Sequence, residues 1–265
     1  DEEITTTIDW PGLTLAGMLE DQGRLALEDM RVRMDGKLIA GTLFDGLWVG
    51  ETDFRLGRFL IEPMDSPSLA LDDLIMTGRS QVSADQKLIG TLGIEWSRLS
   101  LPDAPAVRGV MELSAAQLDA DKLFAFLTAA QELRGGSFGA WMRQAEALTV
   151  LIEDGPEIGL PVFRIESQTG EGLSGSANLV VSPAMAERMR AGYSGVELLN
   201  DLNFEAEIGI DEPLVPLMPR EQQQWVRQLQ GFGVLRSEAG QLRGRVAMSA
   251  GALQINGMTW WNANR

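Results

Sequence analysis

Apolar and polar residues alternate with period two from the start of this chain. Ile4, Thr6, Ile8 and Trp10 share one side of an extended segment, with Thr5, Thr7 and Asp9 on the other. That is the pattern of a half-buried β-strand. Leu25 and Leu27 follow, then Met30, Val32 and Met34, and the pair Asp35-Gly36 reads as a hairpin turn. Leu43, the turn pair Asp45-Gly46 and the run Leu47-Trp48-Val49-Gly50 come next. Phe54 and Leu56 lead through Gly57 to Phe59 and Ile61; Leu69 and Leu71 precede Leu74 and Met76; Leu92, Ile94 and Trp96 are followed by Leu99 and Leu101. Short segments at spacings of about 8–12 residues predict an antiparallel meander, not βαβ units.

After residue 119 the period becomes helical. Leu123, Phe126, Leu127 and Ala130 recur at helix spacing, Asp119 or Asp121 stands ready as N-cap, and Gly135-Gly136 supplies the stop. A second helix is predicted from Phe138 to about Glu153, with Trp141, Ala145, Leu148 and Ile152 on one face and Asp154-Gly155-Pro156 ending it. Strands resume at Ile158, Leu160 and Val162, and again over 172–181. The cleanest alternation is Leu202, Phe204, Ala206, Ile208 and Ile210, of which the first four are expected inward. Leu242, Gly244, Val246 and Met248, a turn near Ala250-Gly251, then Leu253 and Ile255 read as a closing hairpin. The expected class is α+β: an extended antiparallel β meander with a few helices, near 121–133, 138–153, 183–191 and 219–231, packed on one face or end. It divides into a β meander over 1–118, a helical pair over 119–154 and a mixed β/α segment over 155–265, or forms one continuous domain.

Composition narrows the chemistry. The 265 residues include no histidine and no cysteine. Ser-His-Asp and Cys-His catalysis, the usual zinc ligand sets, haem ligation and thiol redox chemistry are thereby excluded. No catalytic residue, cofactor or metal ligand is expected, and the chain reads as a non-enzyme. Thirty-eight acidic against 22 basic residues give a net charge of −16, which disfavours nucleic acid and repels an anionic membrane surface. Gly231-Phe232-Gly233 and the pair Gly172 and Gly175 lack the strand–loop–helix setting of a nucleotide site, and Asp119, Asp121 and Asp72-Asp73 lack a calcium loop. No apolar run reaches the 18 residues of a membrane span. A start at Asp1, without a leader pattern, reads as a trimmed or processed chain, with any signal or anchor upstream.

The aromatic and sulfur residues supply the candidate contacts. Trp48, Trp96 and Trp141 are expected in the core, with Trp10 and Trp225 leaning the same way. Trp260 and Trp261 are adjacent, so on an extended chain they point to opposite sides, as a ragged tail or an exposed apolar contact. Trp225, Met258, Trp260 and Trp261 are the candidate ligand or partner contacts. Met18, Met30, Met34, Met64 and Met76 either fill an ordinary core or line a plastic apolar cavity.

Three stretches carry a resemblance. They are 46–57 (Gly46-Leu47-Trp48-Val49-Gly50-Glu51 through Phe54-Arg55-Leu56-Gly57), Met111-Glu112-Leu113 with Leu118-Asp119-Ala120-Asp121-Lys122-Leu123, and the ending from Leu229-Gln230-Gly231-Phe232-Gly233 through Gly240 to Gly251-Ala252-Leu253-Gln254-Ile255-Asn256-Gly257. In these the chain resembles the YdgA-like family of bacterial cell-envelope proteins of unknown function. That resemblance implies a periplasmic protein held by an inner-membrane anchor, and it supplies no catalytic residues. The ending and the long meander are also distantly similar to AsmA-like envelope proteins, which implies lipid handling along an apolar groove. The expected function is a non-catalytic envelope-associated structural or binding protein that accommodates a lipid or other apolar ligand on its sheet. A protein–protein scaffold using a sheet edge or the C-terminal tryptophans, as homo-oligomer or with an envelope partner, is the alternative. A carboxylate-based glycan hydrolase stands third.

Overall fold

The computed structural model describes residues 3–16, 23–42, 46–63, 68–102, 104–132, 138–193 and 195–263. Alternating apolar residues build six long strands: β1 (Glu3–Ala16), β2 (Arg24–Ala40), β3 (Leu47–Glu62), β4 (Leu69–Val82), β5 (Lys87–Ser100) and β6 (Val107–Asp119). Two helices follow, α1 (Ala120–Glu132) and α2 (Phe138–Leu151), then β7 (Glu157–Ser167), β8 (Gly172–Val181), α3 (Ala184–Arg190), β9 (Leu202–Asp211) and α4 (Arg220–Gly231). The chain closes with β10 (Arg236–Glu238), β11 (Gln241–Ser249), β12 (Ala252–Ile255) and β13 (Met258–Asn262). The thirteen strands of the described residues form one antiparallel sheet in nearly sequential order, with β10 and β12 both on the outer edge of β11. The fold is α+β and mostly β. The helical pair leaves the sheet unbroken, because β6 and β7 are hydrogen-bonded neighbours.

The strands are longer than the alternation alone implied, at 13 to 17 residues for β1 to β6. Each pair of short apolar segments is two halves of one strand. The phase slips between halves, at Leu27/Met30, Leu56/Phe59, Leu71/Leu74 and Trp96/Leu99, fall side by side in the sheet. Asp29 and Asp73 adopt positive φ there, and the β5–β6 register shifts between Trp96 and Leu99. An irregularity in one strand has re-phased its neighbours, as an aligned set of bulges must if the apolar side chains are to stay on one face. Asp35-Gly36 is no turn: both residues lie inside β2, paired with Glu51 and Gly50. Leu43, Asp45, Met18, Met64 and Gly135-Gly136 lie outside the described residues.

The expected helices are present. Asp119 caps α1, its Oδ1 accepting from the backbone N–H of Asp121 (3.1 Å) and Lys122 (3.2 Å). The buried clusters sit where helices or loops cover the sheet. Val226 of α4 packs with Ile210, Leu235 and Leu242; Leu151 of α2 packs with Leu88 and Leu118; Ala186 of α3 packs with Ile152 and Val181. On β9, Leu202, Phe204 and Ala206 are half-buried and Asn203, Glu205 and Glu207 exposed, the expected register, although Ile208 is exposed.

Three tryptophans depart from expectation. Trp141 and Trp225 are each 66% exposed. In the helical pair the buried positions are the small Ala129 and Ala140, with Leu151, which turns Trp141 outward. In α4 the neighbouring Val226 takes the core position. Trp10 is exposed on β1, the edge strand of the sheet. Trp48 and Trp96 are half-buried on the sheet, with the Trp96 ring lying on Gly109, where any Cβ would be 2.1 Å from it.

Candidate functional site

Directly paired residues in an antiparallel sheet share a face, so the register reads out each face line by line. One line crosses twelve strands: Ile4, Gly36, Gly50, Ser80, Gly90, Ala115, Ile158, Leu179, Phe204, Met248, Leu253 and Trp261. None of these is charged. A parallel line on the same face, from Ile8 through Val32, Phe54, Met76, Ile94, Met111 and Phe163 to Gly175, Ile208 and Gly244, is uncharged too. One residue away, on the opposite face, the line reads Asp9, Arg31, Arg55, Ile75, Glu95, Val110, Arg164, Ser174, Gly209, Arg243. The sheet is strongly two-sided, and its uncharged face extends beyond the helices. No large side chain among the described residues is fully buried, so most of this face is only half-covered by its own neighbours.

A depression crosses this face where the line runs through small residues. Gly36, Gly50, Ser80, Gly90 and Ala115 form its floor on β2 to β6, and Gly78 widens it on β4. Trp48 and Leu118 stand on the helical side, Met34, Leu92 and Leu113 on the other, and Ile158 at the β7 end. The cavity measures about 520 Å³. Four inter-strand steps make the floor about 19 Å long at ~4.8 Å each, comparable with an extended fatty-acyl chain. Gly50 is demanded by the backbone: its φ is 144° and a Cβ would lie 2.1 Å from the Asp35 carbonyl oxygen. Gly78 and Gly90 are not. Their nearest neighbours to an added Cβ are at 3.6 and 3.5 Å, ordinary contact. Glycine weakens a strand interior, so the open floor at these two positions serves no backbone purpose.

A charge network fixes the helical wall. Lys87 on β5 donates to Asp154 Oδ1 at 2.8 Å, and Lys122 on α1 donates to Asp154 Oδ2 and Glu153 Oε2, both at 2.9 Å. Arg190 of α3 joins through Glu153. Burial pushes the Asp154 pKa up, but the hydrogen bonds and charges of Lys87 and Lys122 outweigh it and hold the carboxyl below its ordinary value. A depressed folded-state pKa contributes stability above the unfolded pKa and loses it as pH falls through the folded one. Asp154→Asn is therefore expected to cost about 1–2 kcal/mol near neutral pH. The gap to wild type should close below about pH 3.9; denaturation midpoints across pH 3–7 check this, and an unchanging gap would contradict it.

On the charged face Glu166 is 8% exposed. It accepts from Arg108 Nε at 2.7 Å and pairs with Arg164, beside a cavity of about 340 Å³. Among the described residues no group of three acidic side chains is arranged to hold a metal ion, and no helix is long and apolar enough to cross a membrane.

Of the residues singled out from sequence, Met258, Trp260 and Trp261 come together on the edge strand β13, all exposed, and Trp225 stands on α4. None lines the depression. Trp261 ends its uncharged line, and Met258 receives a weak contact from Arg236 at 3.8 Å. Met34 does line it, while Met30 and Met76 are half-buried on the same face. The floor glycines carry no motif in the sequence. Their signal was the even phase of Met30, Val32, Met34, Gly36 and Leu38, which runs through Asp35-Gly36 without a break.

One comparison bears on identity: the family described as bacterial protein of unknown function (DUF945) matches residues 1–260. The chain belongs to DUF945. No curated protein and no solved structure matches it. In this DUF945 chain, then, the site rests on geometry alone.

Proposed function

We propose that the protein is a non-catalytic binding protein of the bacterial envelope that holds the hydrocarbon chain of a lipid, or another elongated apolar ligand, across its sheet. The observation that carries this is the uncharged line over twelve strands, with an open glycine floor at its β2–β6 stretch. An elongated apolar body gains by leaving water for such a surface, and no side chain of the floor line carries a charge. The resemblance to YdgA-like proteins supports an anchored, periplasmic setting, where acyl chains are abundant.

A free sheet edge at β1 and the exposed Met258, Trp260 and Trp261 at the other edge favour a second reading, a scaffold that pairs its edges with another chain. Titration with a fluorescent fatty acid, with native mass spectrometry of protein from its own envelope, separates the two. Saturable uptake and a co-purifying lipid are expected. A lipid-free protein without uptake would leave the scaffold in front.

A further inference from the structure

On the charged face, at the end remote from the depression, we propose a binding site for a phosphate-type anion, independent of the apolar-ligand reading. Arg236 of β10 and Arg243 of β11 are directly opposite one another. Like charges in that position repel at close range. In a chain of net charge −16, carboxylates to relieve them are plentiful, yet neither guanidinium forms an ion pair with a described carboxylate. Among the described residues, the Arg236 guanidinium makes only its weak side-chain contact with the Met258 sulfur. Arg243 donates from Nε (3.1 Å) and Nη2 (2.9 Å) to Gln241 Oε1, and Gln241 is itself held by Asp211 Oδ1 at 2.8 Å. The guanidinium is thus oriented by a neutral acceptor, and its charge is left unspent.

The two arginines border a cavity of about 620 Å³. Gly209, opposite Arg243, leaves its floor open, and Ser174 faces Gly209 from the next strand. The hydroxyls of Ser174 and Ser176 line the cavity and make no side-chain hydrogen bond with a described residue. The Arg236 guanidinium, the N–H groups of Arg243 not taken by Gln241 and two free hydroxyls around an open floor fit the several acceptor oxygens of a phosphate. Arg245 and Glu207 also line the cavity and pair with each other at 3.4 Å. Glu238, the other carboxylate on the rim, has no such partner and opposes the anion.

A soluble phosphate and the headgroup of an anionic lipid share this chemistry. The test titrates the full chain with inorganic phosphate by calorimetry and thermal melting, and in parallel with vesicles of phosphatidylglycerol or phosphatidylcholine. Saturable binding of phosphate, or of phosphatidylglycerol over phosphatidylcholine, is expected, and whichever binds identifies the source. Arg236→Gln/Arg243→Gln should weaken it at least about tenfold. The same variant should melt no lower than wild type without phosphate and lose the phosphate-induced rise in melting temperature. Glu238→Gln, which leaves both arginines in place, should tighten binding about threefold. No binding to either probe, or binding unchanged in the arginine variant, would overturn the assignment.

Discussion

Replacing Gly78 and Gly90 together by valine is expected to abolish fatty-acid uptake while leaving the protein at least as stable as before. Neither glycine has a positive φ, and a Cβ at either position meets its neighbours at ordinary contact distance. Valine suits a strand and glycine does not, so the backbone gains about 1 kcal/mol or less per site. The added side chains project onto the floor between Met34 and Leu92 on one side and Trp48 and Leu118 on the other, where a bound chain would lie. A loss of affinity of more than about tenfold follows if the ligand forfeits even two methylene contacts, at ~0.8 kcal/mol each. Because stability and binding move in opposite directions, misfolding cannot imitate the result. Undiminished uptake by a well-folded double variant would place the ligand elsewhere on the uncharged face.

The depression was hidden in the sequence for a geometric reason. Its floor is assembled from residues as far apart as Gly36 and Ala115, joined only by register. Reading Asp35-Gly36 as a turn broke β2 at the residue where the floor begins. A two-residue turn would reverse the chain there, whereas apolar positions continue in phase to Leu38, which pairs with Trp48. The exposed residues that drew attention instead, Trp225, Met258, Trp260 and Trp261, belong to the far end of the sheet.

Element type was far more legible than strand length or helix orientation. Alternation located the strands because each buries one side only, and Asp119 marked the start of α1 by the capping chemistry it performs. The phase slips at Leu27/Met30, Leu56/Phe59, Leu71/Leu74 and Trp96/Leu99 were visible too, but a slip inside a strand and a gap between strands look alike in one dimension. Only the pairing of Glu28 with Arg58 and Arg58 with Asp72 shows the slips to be aligned. An apolar helix face alone does not say which residues let two helices approach: Ala129 and Ala140 take the buried positions and the Trp141 indole is left outside.

Removing both guanidiniums from Glu166 should destabilise the protein by about 3 kcal/mol, more than the two single changes combined. Glu166 is 8% exposed, whereas the side chains of Arg108 and Arg164 are 66% and 63% exposed. The burden of burial therefore falls on the carboxylate, and either arginine alone can still partner it. In Arg108→Met or Arg164→Met the remaining guanidinium keeps its bond, so each single change should cost about 1 kcal/mol, the aliphatic stem being preserved. In the double variant the charge is stranded between β6 and β7, the strands that carry the sheet past the helical pair. Adding Glu166→Gln removes the charge and should return most of the loss, since a neutral amide costs far less to bury. Urea denaturation midpoints of the four variants measure the cycle. Additive single effects, or a triple variant no better than the double, would show that these arginines stabilise β6 and β7 by packing and that the carboxylate's burial makes no demand on them.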